Sequence, residues 1–161
     1  MLSSLTRETS RLSARNSFTH LIMFLENVNI EVFTKQIRPV LEFSVPVWHP
    51  NTNKKHTSSI ERVQKYALKI ILHDKYSSYE SALKSANLKC LLDRRQKICL
   101  NFALKCEQHP QFSSWFKQNY KIYSTRYKQD KYCTVTMRTS RLEKSPLNFL
   151  TNLLNTYYNA E

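Results

Sequence analysis

Residues 30–48 read IEVFTKQIRPVLEFSVPVW, and this stretch decides whether the chain is all-helical or mixed. Taken as a helix, it places Phe33, Ile37, Val40, Ser44, Val47 and Trp48 on one face. Pro39 sits inside the run. Its nitrogen cannot donate and its ring crowds the preceding turn, so a helix must kink or end there. The alternative is a strand from Val40 to Trp48. We read a kinked helix. Its end, LEFSVPVWHP at 41–50, sets Trp48 and His49 between two prolines. Trp48 reads as a packing anchor, His49 as a satisfied surface residue, and the stretch as a stiff corner leading into the next helix.

That next helix lies in NTNKKHTSSIERVQKYALKIILHD, residues 51–74. Ser58 and Glu61 have capping-box spacing. Ile60, Val63, Ala67, Ile70 and Ile71 form an apolar stripe, with Arg62, Lys65, Lys69 and His73 on nearly the opposite face. Ser77 and Glu80 repeat the capping spacing ahead of a short helix from Tyr79 to Ala86, which stops at Asn87. LLDRRQKICLNFALKCEQHP, residues 91–110, makes a long helix ended by Pro110. Leu91, Ile98, Cys99, Phe102 and Cys106 face inward, while Arg94, Lys97 and Lys105 point away. Arg95 falls in the middle of the apolar face, where it snorkels or meets a carboxylate. QFSSWF, 111–116, is one apolar turn docking Phe112, Trp115 and Phe116.

Upstream, residues 1–19 are a polar lead-in, and HLIMFLENVN (20–29) carries Leu21, Phe24, Leu25 and Val28 at helical spacing. Downstream, Lys117–Lys144 holds eight Lys/Arg and two acids, a net of +6, with Tyr120, Tyr123, Tyr127 and Tyr132 interleaved. SPLNFLTNLLNTYY then closes the chain: Ser145 caps, Pro146 takes the first helical position, and Leu147, Leu150, Leu153 and Leu154 form a stripe. The expected fold is mainly α. A helical domain over 20–110 is followed by a basic, partly irregular C-terminal extension over 111–161.

The chain has 161 residues and a formal net charge of +13, which suits one domain with a polyanionic partner. It has no glycine, so neither a P-loop nor a dinucleotide fingerprint can be written. There is no secretory leader pattern and no apolar run long enough to span a bilayer. Cys90, Cys99, Cys106 and Cys133 are therefore expected as reduced thiols in a nuclear or cytoplasmic setting. Asp74, Asp93 and Asp130 are the only aspartates and stand far apart, so no two-metal carboxylate site is written locally. Cys99, Cys106 and His109 are the best metal candidates, but C-x6-C-x2-H matches no common zinc pattern. Both thiols fall on the packed helix face, with no histidine placed to activate them. No cofactor, metal site or catalytic residue is expected.

The basic faces carry more. Arg62, Lys65 and Lys69, then Arg94 and Lys97, can track a phosphate backbone, each contact releasing counterions. In the extension Arg126, Lys128, Lys131, Arg138 and Arg141 supply phosphate contacts, and Tyr123 and Tyr127 offer stacking surfaces.

Four stretches share one resemblance. They are QIRPVLEFSVPVWHP (36–50), IERVQKYALKII (60–71), SYESALKSANLKCLLDRRQKICLNFALKC (78–106) and YCTVTMRTSRLEKSPLNFLTNLLN (132–155). In order and spacing they resemble the C-terminal part of reverse transcriptases from animal non-LTR, LINE-type (jockey-like) retrotransposons. The family's Ile-Arg-Pro-x-Leu-Glu-Tyr…Pro-Val-Trp segment corresponds to Ile37–Trp48. Its Arg-Val-Gln core matches Arg62–Gln64, its Tyr-Glu-x-Ala-Leu helix Tyr79–Leu83, and its Leu-x-x-Arg-Arg helix Leu91–Arg95. The chain departs at Phe43 and Ser44, where the family has Tyr and a small residue. The resemblance implies a thumb over Ile30 to about Lys105 that grips a template–primer duplex, an RNA–DNA hybrid or similar. The family's palm aspartates have no counterpart in this sequence, so the implied role is nucleic-acid binding without catalysis. The alternatives are a helical protein-interaction module and a retroelement remnant with no selected function. The former would expose Phe33, Ile37, Val40 and Trp48 for a palm domain or for self-association.

Overall fold

A computed structural model describes residues 29–120, 130–134 and 139–160, and over them the chain is helical. The polar lead-in and the pattern of 20–28 lie outside the described residues. Among the described residues no strand forms, and the one pairing is an isolated antiparallel bridge between Gln118 and Tyr132.

The deciding stretch is helix, not strand, but it breaks elsewhere than at Pro39. Residues 29–41 are helical throughout. A π-type turn over Phe33–Ile37 absorbs the proline, with the Arg38 N–H reaching back to the Phe33 carbonyl. Widening the backbone by one residue just before a nitrogen that cannot donate keeps the helix running into α1, Arg38–Leu41. The break comes at Ser44, held at φ 52° ahead of α2, Val45–Trp48. In a chain without glycine, Ser44, His73 and Asn87 must take the left-handed turns themselves. Burial does not follow the expected common face. Phe33 and Val45 are buried, but Ile37, Val40 and Val47 are exposed.

The described residues group into two units. The first joins those up to Leu41 with Arg62–Leu88. It holds most of α3, Lys54–Leu72, and all of α4, Tyr79–Ser85. Its core is Leu68, Leu72 and Ala82, flanked by Tyr76, Tyr79, Leu83 and Leu88. The stripe expected on α3 is rotated. Gln64, Leu68 and Leu72 are buried, whereas Val63 and Ile70 are exposed. A buried Gln64 is tolerable because its amide is used at both ends. Arg38 Nη2 donates to its Oε1 at 3.1 Å, and its Nε2 donates to the Tyr79 hydroxyl at 3.1 Å. Ser78 rather than Ser77 caps α4, in a reciprocal box with Ser81, and Asn87 at φ 51° follows its end.

The second unit joins Glu42–Glu61 with the chain from Lys89 onward. The start of α3 lies here and is capped by Asn53, whose Oδ1 accepts from the His56 N–H at 2.8 Å. Ser58 is inside the helix, its hydroxyl donating to the Lys54 carbonyl. Glu61 caps a different helix: the Leu91 N–H donates to both its oxygens at 3.1 Å, at the start of α5, Leu91–Gln108. The core runs through Val45, Cys99, Ala103, Cys106, Phe116, Tyr132, Leu150 and Leu154. The last two belong to α7, Pro146–Ala160, which follows the short α6, Ser140–Glu143. Ser145 caps α7 through the Asn148 N–H. The described part of the extension thus packs onto α5.

Asn155 holds that packing in place. Its amide accepts from the Tyr132 N–H and donates to the Tyr132 carbonyl, both at 2.9 Å, as a neighbouring strand would. Asn155→Ala leaves both backbone groups buried without partners. It is expected to cost about 2 kcal/mol in denaturant unfolding and to speed amide exchange at Tyr132. Unchanged stability would show the clamp to be incidental.

Candidate functional site

The first candidate is the outer face of α3 in the first unit. Positions 62, 65 and 69 lie within a narrow arc of a 3.6-residue helix. Arg62, Lys65 and Lys69 are all exposed, and none has an ion-pair or hydrogen-bond partner among the described residues. From Arg62 to Lys69 the row rises roughly 10 Å, about three phosphate steps along one strand of a duplex. Tyr66, one turn after Arg62, is 59 % exposed at the edge of that arc. It offers an unused stacking surface. Tyr66 has no place in the sequence-derived site; its i, i+4 spacing from Arg62 is the signal that would have found it.

In the second unit Arg94 and Lys97 are exposed on α5. Arg94 is already engaged: its Nε donates to Glu42 Oε1 at 2.6 Å. Lys97 has no such partner among the described residues. Lys131 is also engaged, its Nζ 2.8 Å from Glu107 Oε1 and 3.7 Å from the centroid of the Tyr158 ring. Tyr123, Arg126, Tyr127, Lys128 and Arg138 lie outside the described residues, and so does the side chain of Arg141.

The second candidate is the corner at Trp48 and His49. Trp48 Nε1 donates to the Phe43 carbonyl at 2.7 Å, closing the turn around Ser44. The Arg95 guanidinium lies 5.5 Å from the Trp48 ring centroid. His49 meets Phe149 edge-on, with ring centroids 5.7 Å apart. Its Nδ1 is buried without a partner among the described residues. Burial, and secondarily the Arg95 charge, lower the pKa of His49 and hold it neutral. No nucleophile or carboxylate pairs with the ring in the hydrogen bonds described. The corner is a packed joint, and His49 is more enclosed than a surface residue.

The thiols suit packing. Burial raises Cys99 to about 11 against the opposing pull of Arg95, and burial raises Cys106 as well. Neutral thiols of this kind are poor nucleophiles and poor ligands. Among the described residues no three His, Cys, Asp or Glu side chains gather as a metal cage, and no helix is long and apolar enough to cross a membrane. His109 stacks on Phe112 at 4.7 Å instead of turning to Cys106.

No protein-family model, curated protein or solved structure matches the chain.

Proposed function

We propose that the chain is a non-catalytic nucleic-acid-binding element, the thumb-like region of a LINE-type reverse transcriptase, an RNA-directed DNA polymerase. The observation that carries this reading is the row Arg62, Lys65 and Lys69, unpaired among the described residues, with Tyr66 beside it. Acids are too few to neutralise such a row: 12 stand against 25 Lys and Arg. Glu42 and Glu107 are moreover spent on Arg94 and Lys131. The ligand is an RNA–DNA hybrid or duplex held by its phosphates, and Lys97 on α5 is a phosphate contact of the second unit in its own right. Arg126, Lys128, Arg138 and Arg141 add affinity without sequence readout, and Tyr123 and Tyr127 stack. A nuclear or cytoplasmic location fits the four free thiols.

The test is fluorescence anisotropy of the purified chain on a labelled hybrid across a salt series. Affinity should fall steeply with salt. Changing Arg62, Lys65 and Lys69 together to Ala should flatten the log–log slope by about 2–3, near 0.9 per lost contact. A slope that is flat from the outset, or untouched by the substitutions, overturns the reading.

A further inference from the structure

The second unit carries a surface that nucleic-acid binding does not use. Val47 on α2, Phe102 on α5, Trp115 in the Ser113–Trp115 turn and Leu147 on α7 are 63 %, 41 %, 47 % and 43 % exposed. They are not scattered. With Pro46 and Leu150 they line one depression of about 450 Å³ whose walls are almost wholly apolar. A second depression shares Pro46, Val47 and Phe102 with it and reaches Lys105. A third shares Trp115 and Leu147 and reaches Lys117. The three adjoin through these shared residues as one groove, with Lys105 in the lining of the second depression and Lys117 in that of the third.

Charge selects the occupant. Lys105 and Lys117 are exposed and without partners among the described residues. The one acid in the lining is Glu42, whose side chain is 7 % exposed and held by Arg94. A second copy of this chain would bring another +13 against these lysines. Backbone chemistry selects the shape. None of the three elements offers a free strand edge, so an extended peptide would gain no ladder of hydrogen bonds, while a helix satisfies its own.

We propose that this groove docks an amphipathic helix of a partner protein, its leucine or phenylalanine stripe on the apolar floor and its acidic flanks on Lys105 and Lys117. The surface is independent of the α3 row, and either can fail without the other.

The probe is a labelled synthetic helix with leucines at i, i+3, i+4 and i+7 and glutamate-rich flanks, titrated into the full chain by anisotropy. Saturable binding is expected, with at least a roughly tenfold loss in Val47→Glu and in Phe102→Glu. Lys105→Glu with Lys117→Glu should weaken the acidic peptide and favour the same helix with lysine-rich flanks. Both pairs of positions are exposed, and unchanged circular dichroism and melting confirm that each variant is folded. Absence of saturable binding, or equal binding of acidic-flanked and basic-flanked helices, overturns the proposal. So does a self-associated chain that Phe102→Glu converts to monomer, since the groove would then belong to a second copy.

Discussion

Glu61→Leu is expected to destabilise the chain by about 3–5 kcal/mol, while Arg95→Met leaves it as stable or more so. The asymmetry follows from what surrounds the guanidinium. Arg95 is 0 % exposed, and its Nε donates to the Leu91 carbonyl at 3.1 Å, but neither terminal nitrogen has an acceptor among the described residues. Burial lowers its pKa, and among the charges that resist this Glu61 acts most strongly. Removing Glu61 strips a buried cation of its main counter-charge and uncaps α5, where the Leu91 N–H rests on that carboxylate. Methionine at 95 keeps an unbranched apolar stem and removes the charge that costs most to bury. What it gives up is the contact with the Trp48 ring, about 2 kcal/mol at most, and the hydrogen bond to the Leu91 carbonyl, about 1 kcal/mol. Urea unfolding of the two single variants and the double variant measures each term. In the double variant most of the Glu61→Leu loss should return, leaving about 1 kcal/mol for the cap. Arg95→Met proving as damaging as Glu61→Leu would show that the stack on Trp48 outweighs desolvation.

Local signals were the legible part of this fold. Helical period and a stop at Asn87 predicted a helix over Tyr79–Ala86, and α4 spans Tyr79–Ser85 with Ala86 at its end. The same period correctly set Arg95 among buried neighbours. Features that depend on distant partners were not legible. Gln64 breaks the apolar pattern of α3 because its burial is made tolerable by Arg38 and Tyr79, 26 and 15 positions away. Glu61 looks like half of a capping box for its own helix, yet it caps the helix 30 positions on. The left-handed Ser44 left no trace because serine, unlike glycine, carries no preference for that conformation.

The motifs that carry the family resemblance turn out to touch one another within each unit. Arg38, Gln64 and Tyr79 form one hydrogen-bonded thread, Glu42 holds Arg94, and Trp48 faces Arg95. Their spacing in sequence therefore reflects contacts that build the two cores. The candidate binding row was legible for a different reason. Charged side chains that face solvent need no partner, so helical period alone locates Arg62, Lys65 and Lys69. Arg94 and Lys131 were legible as charges but not as ion pairs, since Glu42 and Glu107 stand 52 and 24 positions away.

Glu107→Ala is expected to cost about 3 kcal/mol and to narrow the pH range over which the C-terminal part of the second unit stays packed. Glu107 takes hydrogen bonds from the Tyr132 hydroxyl, from the Tyr158 hydroxyl at 2.8 Å and from Lys131 at 2.8 Å. Burial alone would push its carboxyl up, but the three donors outweigh that and hold it below the usual carboxylate range. A depressed folded value contributes stability that is present above the unfolded value, roughly pH 4–5, and is lost as pH falls through the folded one. On the alkaline side the sign reverses. Burial first, and Glu107 second, push Tyr132 up to about 12. Its contribution is complete below an unfolded phenol value of roughly 10 and disappears as pH rises through the folded one. The Lys131 side chain is 40 % exposed, so water screens its pair and the two phenols carry most of the effect. Denaturant unfolding of wild type and Glu107→Ala across pH should show a gap that is widest between about pH 5 and 10 and closes toward both ends. A gap independent of pH would mean that Glu107 contributes by packing alone. With Asn155 clamping the Tyr132 backbone and Glu107 its hydroxyl, Tyr132 is an anchor of the basic extension beside the α7 leucines, one that its sequence marks only as part of an aromatic series.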